Sequence, residues 1–255
     1  MTRPEKIVAI CQPNFLPWLG YFEMGHRAHV YVMLDDVQYP RREWVNRNKI
    51  LSGSPPGWMW LTIPLKKSPQ TIAINKVEVS DEAPWASTML KSLGHVYGRA
   101  PFFSLYYDEL AGLLARPWQY LVDLNLELVR WFYGKLGILD NLVLSSRLNV
   151  QAARDDKLVE ICERLGATIY LANNGSKEYI DPSKFHRRGI GFVFQDYQHP
   201  TYAVKGYSFA PYLSAIDLLF WHGPEALSII LSGRDSRWRA GITYGQAPAA
   251  VSGGK

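Results

Sequence analysis

The chain is poor in cysteine and has no glycine-rich phosphate loop, and each shortage removes a class of answer. Among its 255 residues only Cys11 and Cys162 are cysteines, with no CxxC and no zinc-type Cys/His spacing. Neither a disulfide framework nor a structural zinc site is therefore indicated, and a reducing cytoplasm is the simplest home. Neither GxGxxG nor GxxxxGK[ST] occurs, which argues against a standard NAD site and a P-loop ATP site. No apolar run approaches a bilayer span, and the run after Lys6 is too short for a signal-peptide core. Internal repeats are missing as well. Charge of either sign is moderate: 28 Lys and Arg against 23 Asp and Glu give +5. That balance suits phosphorylated small molecules or nucleic acid, but it is far from a protein that coats DNA.

What the chain does have is period. Lys6 to Ile10 and Val30 to Leu34 are short apolar runs separated by WLGYFEMGHRAH, which predicts a β-α-β opening. Further strands are expected over Trp58 to Lys66, with Pro64 marking an edge or an end, and over Ile74 to Ser80. Three helical stretches follow, each opened by a proline: Pro84, Pro101 and Pro117. The third carries Leu121, Leu124, Leu128, Trp131 and Phe132 at helical spacing and stops at Gly137. A second β-α-β comes next, with strands over Leu142 to Ser146 and Thr168 to Asn174 around the helix DDKLVEICERLG. One more strand spans Gly191 to Gln198, and a last helix, LSAIDLLFWHGPEALSIIL, is interrupted at Gly223-Pro224. The pattern predicts an α/β fold: a Rossmann-like, mostly parallel sheet flanked by helices, with a helical insertion in the middle over about 84–137. One domain is expected over 1–240, followed by a flexible small-residue tail over 241–255.

In open α/β sheets ligands bind beyond the carboxyl ends of the strands. Three polar segments stand there. In ICQPNFLPWLGYF, Pro13 and Pro17 stiffen a loop that Phe15 and Trp18 plug into the core or set against a ring. Gln12 and Asn14 are then held toward the strand ends as neutral donors and acceptors, and Trp18 joins them as a binding residue. In LDDVQYPRREWVNRNKI, Asp35 and Asp36 suit metal binding, general-base work or anchoring of ligand hydroxyls, the alternative being a helix cap. Gln38, Asn46, Arg47 and Asn48 supply donors for phosphate or carboxylate. In NNGSKEY, Asn174 and Lys177 belong to a turn that either cradles an anion or merely turns.

Cys11 ends a strand at this edge, so it is a candidate nucleophile, although a buried small hydrophobe is the commoner role. Cys162 shares a helix face with Leu158, Ile161 and Leu165, which is core by period. His26 and His29, three apart, could share a helix face but lack a third metal ligand.

The segments QPNFLPWLGYF, LDDVQY, WVNRNKI, WLTIPLK, YLANNGSKEYI and FAPYLSAIDLLFWHGPEAL, in this order, resemble the WbqC-like family over nearly the whole chain. Two features depart from its pattern: the position of Cys11 is often His or another residue, and NNGSKEY replaces a Ser-Gly or Ala-Gly turn. The resemblance implies a role in O-antigen or other surface polysaccharide biosynthesis, or in natural-product biosynthesis. The expected function is a transferase acting on a small activated molecule, a nucleotide-linked or amino sugar, with Asp35 or Asp36 as base or metal ligand and Arg47 as anion clamp. The alternatives are a non-catalytic protein that binds or assembles a sugar intermediate, and an aminoacyl-tRNA-dependent transferase. The latter is motivated by basic residues among aromatics at Arg41 to Trp44 and Arg234 to Arg239. The expected partner is a small-molecule substrate; nucleic acid is disfavoured, with tRNA left open. No cofactor, metal or oligomeric state is specified.

Overall fold

A computed structural model describes residues 4–245. The opening runs form β1 (Ile7–Cys11) and β2 (Val30–Met33), joined by α1 (Leu19–Arg27) and paired in parallel with Val8 opposite Val30. An insertion follows, first an antiparallel hairpin of β3 (Arg47–Leu51) and β4 (Trp58–Thr62), then helices α2 (Trp85–Tyr97), α3 (Phe103–Leu114) and α4 (Leu121–Leu136). The chain returns to the sheet as β5 (Leu142–Leu144) beside β2. It then crosses through α5 (Arg154–Arg164) to β6 (Ile169–Ala172) on the other side of β1, and through α6 (Pro182–His186) to β7 (Gly191–Phe194). Helices α7 (Ala215–His222) and α8 (Ala226–Ser232) complete the order. The sheet reads β5-β2-β1-β6-β7, with every pair parallel. This is the Rossmann-like α/β architecture with a helical insertion.

Side chains alternate across a strand, and here the alternation divides the core in two. Ile7, Ala9, Tyr31, Met33 and Leu171 face α1, α4, α7 and the hairpin in the larger cluster. Val8, Ile10, Val32 and Tyr170 face α5 and α6, where Ile161, Cys162 and Phe185 close the smaller one. Parallel strands buried on both faces carry no polar alternation, which is why these runs are continuously apolar. In α4, Leu121, Leu124, Leu128 and Phe132 are fully buried, each contributing about 1.5–3 kcal/mol.

Three expectations change. Residues 74–80 are not a strand: Ile74–Lys76 is a 3-10 turn, and only single bridges, Leu65 with Val79 and Glu78 with Tyr120, extend from this stretch. Its N–H groups bond to loops instead, Ile74 to Val37 O and Asn75 to Asp35 O. Conversely, Asn-Arg-Asn lies at the start of a strand. Asn46 and Asn48 take inward positions that an apolar residue would normally fill, so the alternation signal is weak there. His26 and His29 share no helix face, because α1 ends at Arg27 and His29 Nδ1 accepts from the Ile7 N–H.

Within the segment expected as a tail, Thr243 bridges to Phe192, exchanging both main-chain hydrogen bonds at 2.8 Å. Residues 246–255 lie outside the described residues. No helix among the described residues is long and apolar enough to cross a membrane.

Candidate functional site

Neighbours of β1 lead in opposite directions along the chain, to β2 on one side and β6 on the other. Beyond the carboxyl ends of such a pair lies the crevice where open α/β sheets place ligands. Here that crevice is a cleft of about 1320 Å³. Cys11, Gln12, Asn14 and Trp18 line it from the first strand and loop, Tyr21 from α1, and Asn173 and Asn174 from the end of β6. Arg154, Asp155 and Lys157 of α5, Lys184 of α6, and Glu43 and Trp44 ahead of β3 complete its charged and aromatic rim.

The first loop is held from three directions. Asn48 Nδ2 donates to Phe15 O at 3.1 Å and Leu16 O at 2.7 Å. Asn125 Nδ2, from α4, donates to Pro13 O and Val45 O, both at 2.8 Å. Phe15 N–H bonds to Trp44 O, and Pro17 O accepts from Ala215 N–H. Between these anchors Leu16 has φ of 39°, a conformation costly for a bulky residue and kept only where surroundings over-determine it. Trp18 is half-buried, edge-on to Tyr197 at 5.6 Å, near-parallel to His199 at 6.2 Å and 5.5 Å from Tyr212. A side chain at Gly20 would overlap the Trp18 indole. Gln195 fixes the same turn, donating to Gly20 O and to buried Glu23, both at 2.7 Å.

At the end of β2 the two aspartates differ. Asp35 is buried and accepts from Ser146 N (2.9 Å), Ser146 Oγ (2.7 Å) and Asn75 Nδ2 (3.3 Å), its own N–H donates to Ser145 Oγ (3.1 Å), and that hydroxyl lies 3.0 Å from its carboxylate. Its carboxylate is engaged within the fold, tying the β2 end to the β5 end and the insertion. Asp36 accepts from Ser145 Oγ at 2.5 Å and pairs with Lys157 Nζ at 2.8 Å. Lys157 is buried, lines the cleft and also donates to Val150 O at 3.1 Å. Two of its three ammonium protons are thus used, and one remains. Neither aspartate lines the cleft; Lys157 connects Asp36 to it.

Of the other expected residues, Gln12, Asn14, Trp18 and Asn174 converge on the cleft. Asn46 and Asn48 are buried and bond to main-chain oxygens, Asn46 to Ile63 O at 3.0 Å. Gln38 is exposed and donates to Gln70 O. Arg47 lies on the outer face of the hairpin, 4.3 Å over Trp60 and bonded to Arg42 O. On the same face the Lys49 ammonium sits 3.9 Å over Trp58. Lys177 is exposed over Phe194 at 5.4 Å. Among the described residues, no cluster of three or more His, Cys, Asp or Glu is placed to hold a metal ion.

Cys11 lines the cleft, but burial raises its thiol pKa, which disfavours the thiolate. Asn173 Nδ2 approaches its sulfur at 3.5 Å. Sequence reasoning missed Tyr21, Arg154, Lys157 and Lys184. A signal existed for Arg154: it begins the helix that follows β5, next to Asp155 and Asp156. Tyr21 gave none, since an aromatic on an apolar helix face reads as core.

The arrangement offers neutral amides and aromatic faces to a polar ligand body, and cationic side chains to an anionic end. Rv1507c of Mycobacterium tuberculosis (strain ATCC 25618 / H37Rv), an uncharacterized protein, is 30% identical over 223 residues, covering 87% of this chain and 96% of that relative. No solved structure is a significant match. The WbqC-like protein family model matches residues 12–229, from the first cleft loop into α8, and the chain belongs to that family.

Proposed function

We propose that this WbqC-like protein is a cytoplasmic transferase whose cleft binds a nucleotide-linked or amino sugar, in surface polysaccharide (O-antigen) or natural-product biosynthesis. The observation that carries the reading is the composition of the cleft at the β1/β6 strand ends. Gln12, Asn14 and Asn173 present uncharged donors and acceptors beside Trp18 and Trp44, the chemistry that suits hydroxyls and the apolar faces of sugar rings. Arg154 and Lys184 stand at its rim, where a phosphate or diphosphate would find positive charge. Lys157, braced by Asp36, has a donor to spare for the ligand. In this reading Asp36 is a positioning residue acting through Lys157, and Asp35 a scaffold for the strand ends.

A second reading, a binding or assembly protein without turnover, is favoured by the desolvated Cys11 thiol and the hydrogen bonds from Ser146 and Asn75 that occupy the Asp35 carboxylate. The aminoacyl-tRNA alternative has its own support in the cation and aromatic ladder of Arg47, Lys49, Trp58 and Trp60. A thermal-shift screen of nucleotides, nucleotide sugars and divalent metals tests the first reading. A ligand at one hundred times its dissociation constant stabilises by about 2.7 kcal/mol. Stabilisation without turnover on any acceptor favours the binding protein. A flat screen with salt-sensitive tRNA binding favours the third reading.

A further inference from the structure

Tyr212 stands just ahead of α7 with a backbone that bulky residues avoid: its φ is 60°. Such strain persists only where the surroundings over-determine it, and it gathers at ligand clamps. Here the surroundings are the first cleft loop. Trp18 and Ser214 form a β-bridge, and main-chain bonds of 2.8 Å run from Ala215 N–H to Pro17 O and from Ser214 N–H to Lys49 O. Leu16, also at positive φ, lies two positions before Trp18, as Tyr212 lies two before Ser214. Two strained residues thus flank one bridge at the edge of the cleft.

Leu213 and Ser214 are buried, whereas Tyr212 is 53% exposed and lines the cleft. Its ring rests against Trp18 at 5.5 Å and meets His199 edge-on at 5.2 Å. Trp18 itself is flanked by His199 and by Gly20, so Tyr212 is the more open ring of the pair. Gln12 and Asn14, on the loop that carries Trp18, line the same cleft. The cations Arg154 and Lys184 come from α5 and α6, which pack on the opposite face of the sheet from α7.

We infer that Tyr212 is a sugar-stacking residue of the cleft: its open ring covers the apolar face of the substrate's sugar while Gln12 and Asn14 bond to the hydroxyls. The inference deepens the sugar-binding reading and rests on it. A sugar ring turns C–H groups outward on its apolar face, and these meet the electron-rich face of an aromatic ring while both surfaces leave water. The placement also accounts for the strain. Glycine adopts φ near 60° freely, so a side chain kept there against that preference has a use besides the turn.

The test compares wild type, Tyr212→Phe and Tyr212→Gly by calorimetry against UDP, UDP-N-acetylglucosamine, dTDP and dTDP-glucose, and by saturation-transfer NMR against free N-acetylglucosamine and glucose. Tyr212→Phe should bind as wild type does. Tyr212→Gly should hold the nucleotide sugars about tenfold more weakly, with UDP and dTDP affinity unchanged and a melting temperature no lower than wild type. The contrast between nucleotide and nucleotide sugar decides the matter even if Tyr212→Gly melts earlier. Equal weakening of UDP or dTDP overturns the inference, because the ring then stacks on a base or shapes the whole cleft. So does a Tyr212→Gly protein that binds nucleotide sugars as before, or a Tyr212→Phe protein as weak as Tyr212→Gly, since the hydroxyl and not the ring is then the contact. If the nucleotides and their sugars fail to bind while a free sugar saturates from wild type and not from Tyr212→Gly, the nucleotide part of the proposed function falls and the stacking role stands. If no sugar binds, free or linked, both fall.

Discussion

The side-chain amide of Asn48 donates to the main-chain oxygen of Leu16 at 2.7 Å, joining the hairpin to the first cleft loop across 32 residues of chain. Leu16 keeps its positive φ at the point where that bond is made. Without the amide, two buried carbonyls lose their donor and the loop can relax. Asn48→Ala should destabilise the fold by about 2–3 kcal/mol in urea denaturation. It should also weaken any cleft ligand, because Gln12, Asn14 and Trp18 ride on the same loop. An unchanged urea midpoint would mean that Asn125 and the main-chain contacts hold the loop unaided.

Gly20 should tolerate no side chain while Trp18 keeps its place. Gly20→Ala is expected to displace the indole from Tyr197 and His199 and to shift tryptophan fluorescence. The cost should fall in the range of about 1–3 kcal/mol typical of overpacking. Fluorescence and melting identical to wild type would show that the ring has room to move.

Breaking the Asp36–Lys157 pair should be costly because Lys157 is buried. Asp36→Asn leaves its ammonium without a counter-charge, at about 3–5 kcal/mol for a fully buried pair and less here, since Asp36 is partly exposed. Asp36→Asn combined with Lys157→Met should recover most of the stability but not ligand binding. A double-mutant cycle with zero coupling would rule out the pair as a unit.

Asp217 is buried, accepts from Tyr202 Oη at 2.8 Å, and has its pKa raised by burial from 3.8 to about 6. The folded state holds this proton more tightly than the unfolded chain. Its contribution to stability is therefore complete below about pH 4 and lost as pH rises through about 6, by roughly 3 kcal/mol. Other carboxylates add their own slopes, so the measurable quantity is the difference between wild type and Asp217→Asn from pH 4 to pH 7. Parallel stability curves for the two proteins would exclude the linkage.

Much of the sheet was legible because parallel strands buried on both faces leave continuous apolar runs: β1, β2, β6 and β7 stand where the runs predict. Of the hairpin, β4 falls within the expected run from Trp58 to Lys66, but β3 was missed, because Asn46 and Asn48 occupy its inward positions. Polar residues at inward positions mask a strand, and here they also served as lures for a functional reading. Gln12, Asn14 and Trp18 could be placed at the cleft from one rule about strand ends, since the loop follows β1 directly. Tyr21 and Lys184 could not, because their approach to the cleft depends on how α1 and α6 pack, which no local spacing encodes. The Asp-Asp pair reads as one feature in sequence and separates in space, Asp35 turning to Ser145 and Ser146 while Asp36 turns to Lys157.

The bridge between Thr243 and Phe192 has a bearing on how the protein behaves toward copies of itself. β7 is the last strand of the sheet, and a bare last strand is a template onto which another chain can add. Thr243 takes up both main-chain groups of Phe192, and Tyr244 lies so close over Gly191 that a side chain there would strike it. A chain shortened to end before Thr243 would uncover that edge and should self-associate as its concentration rises.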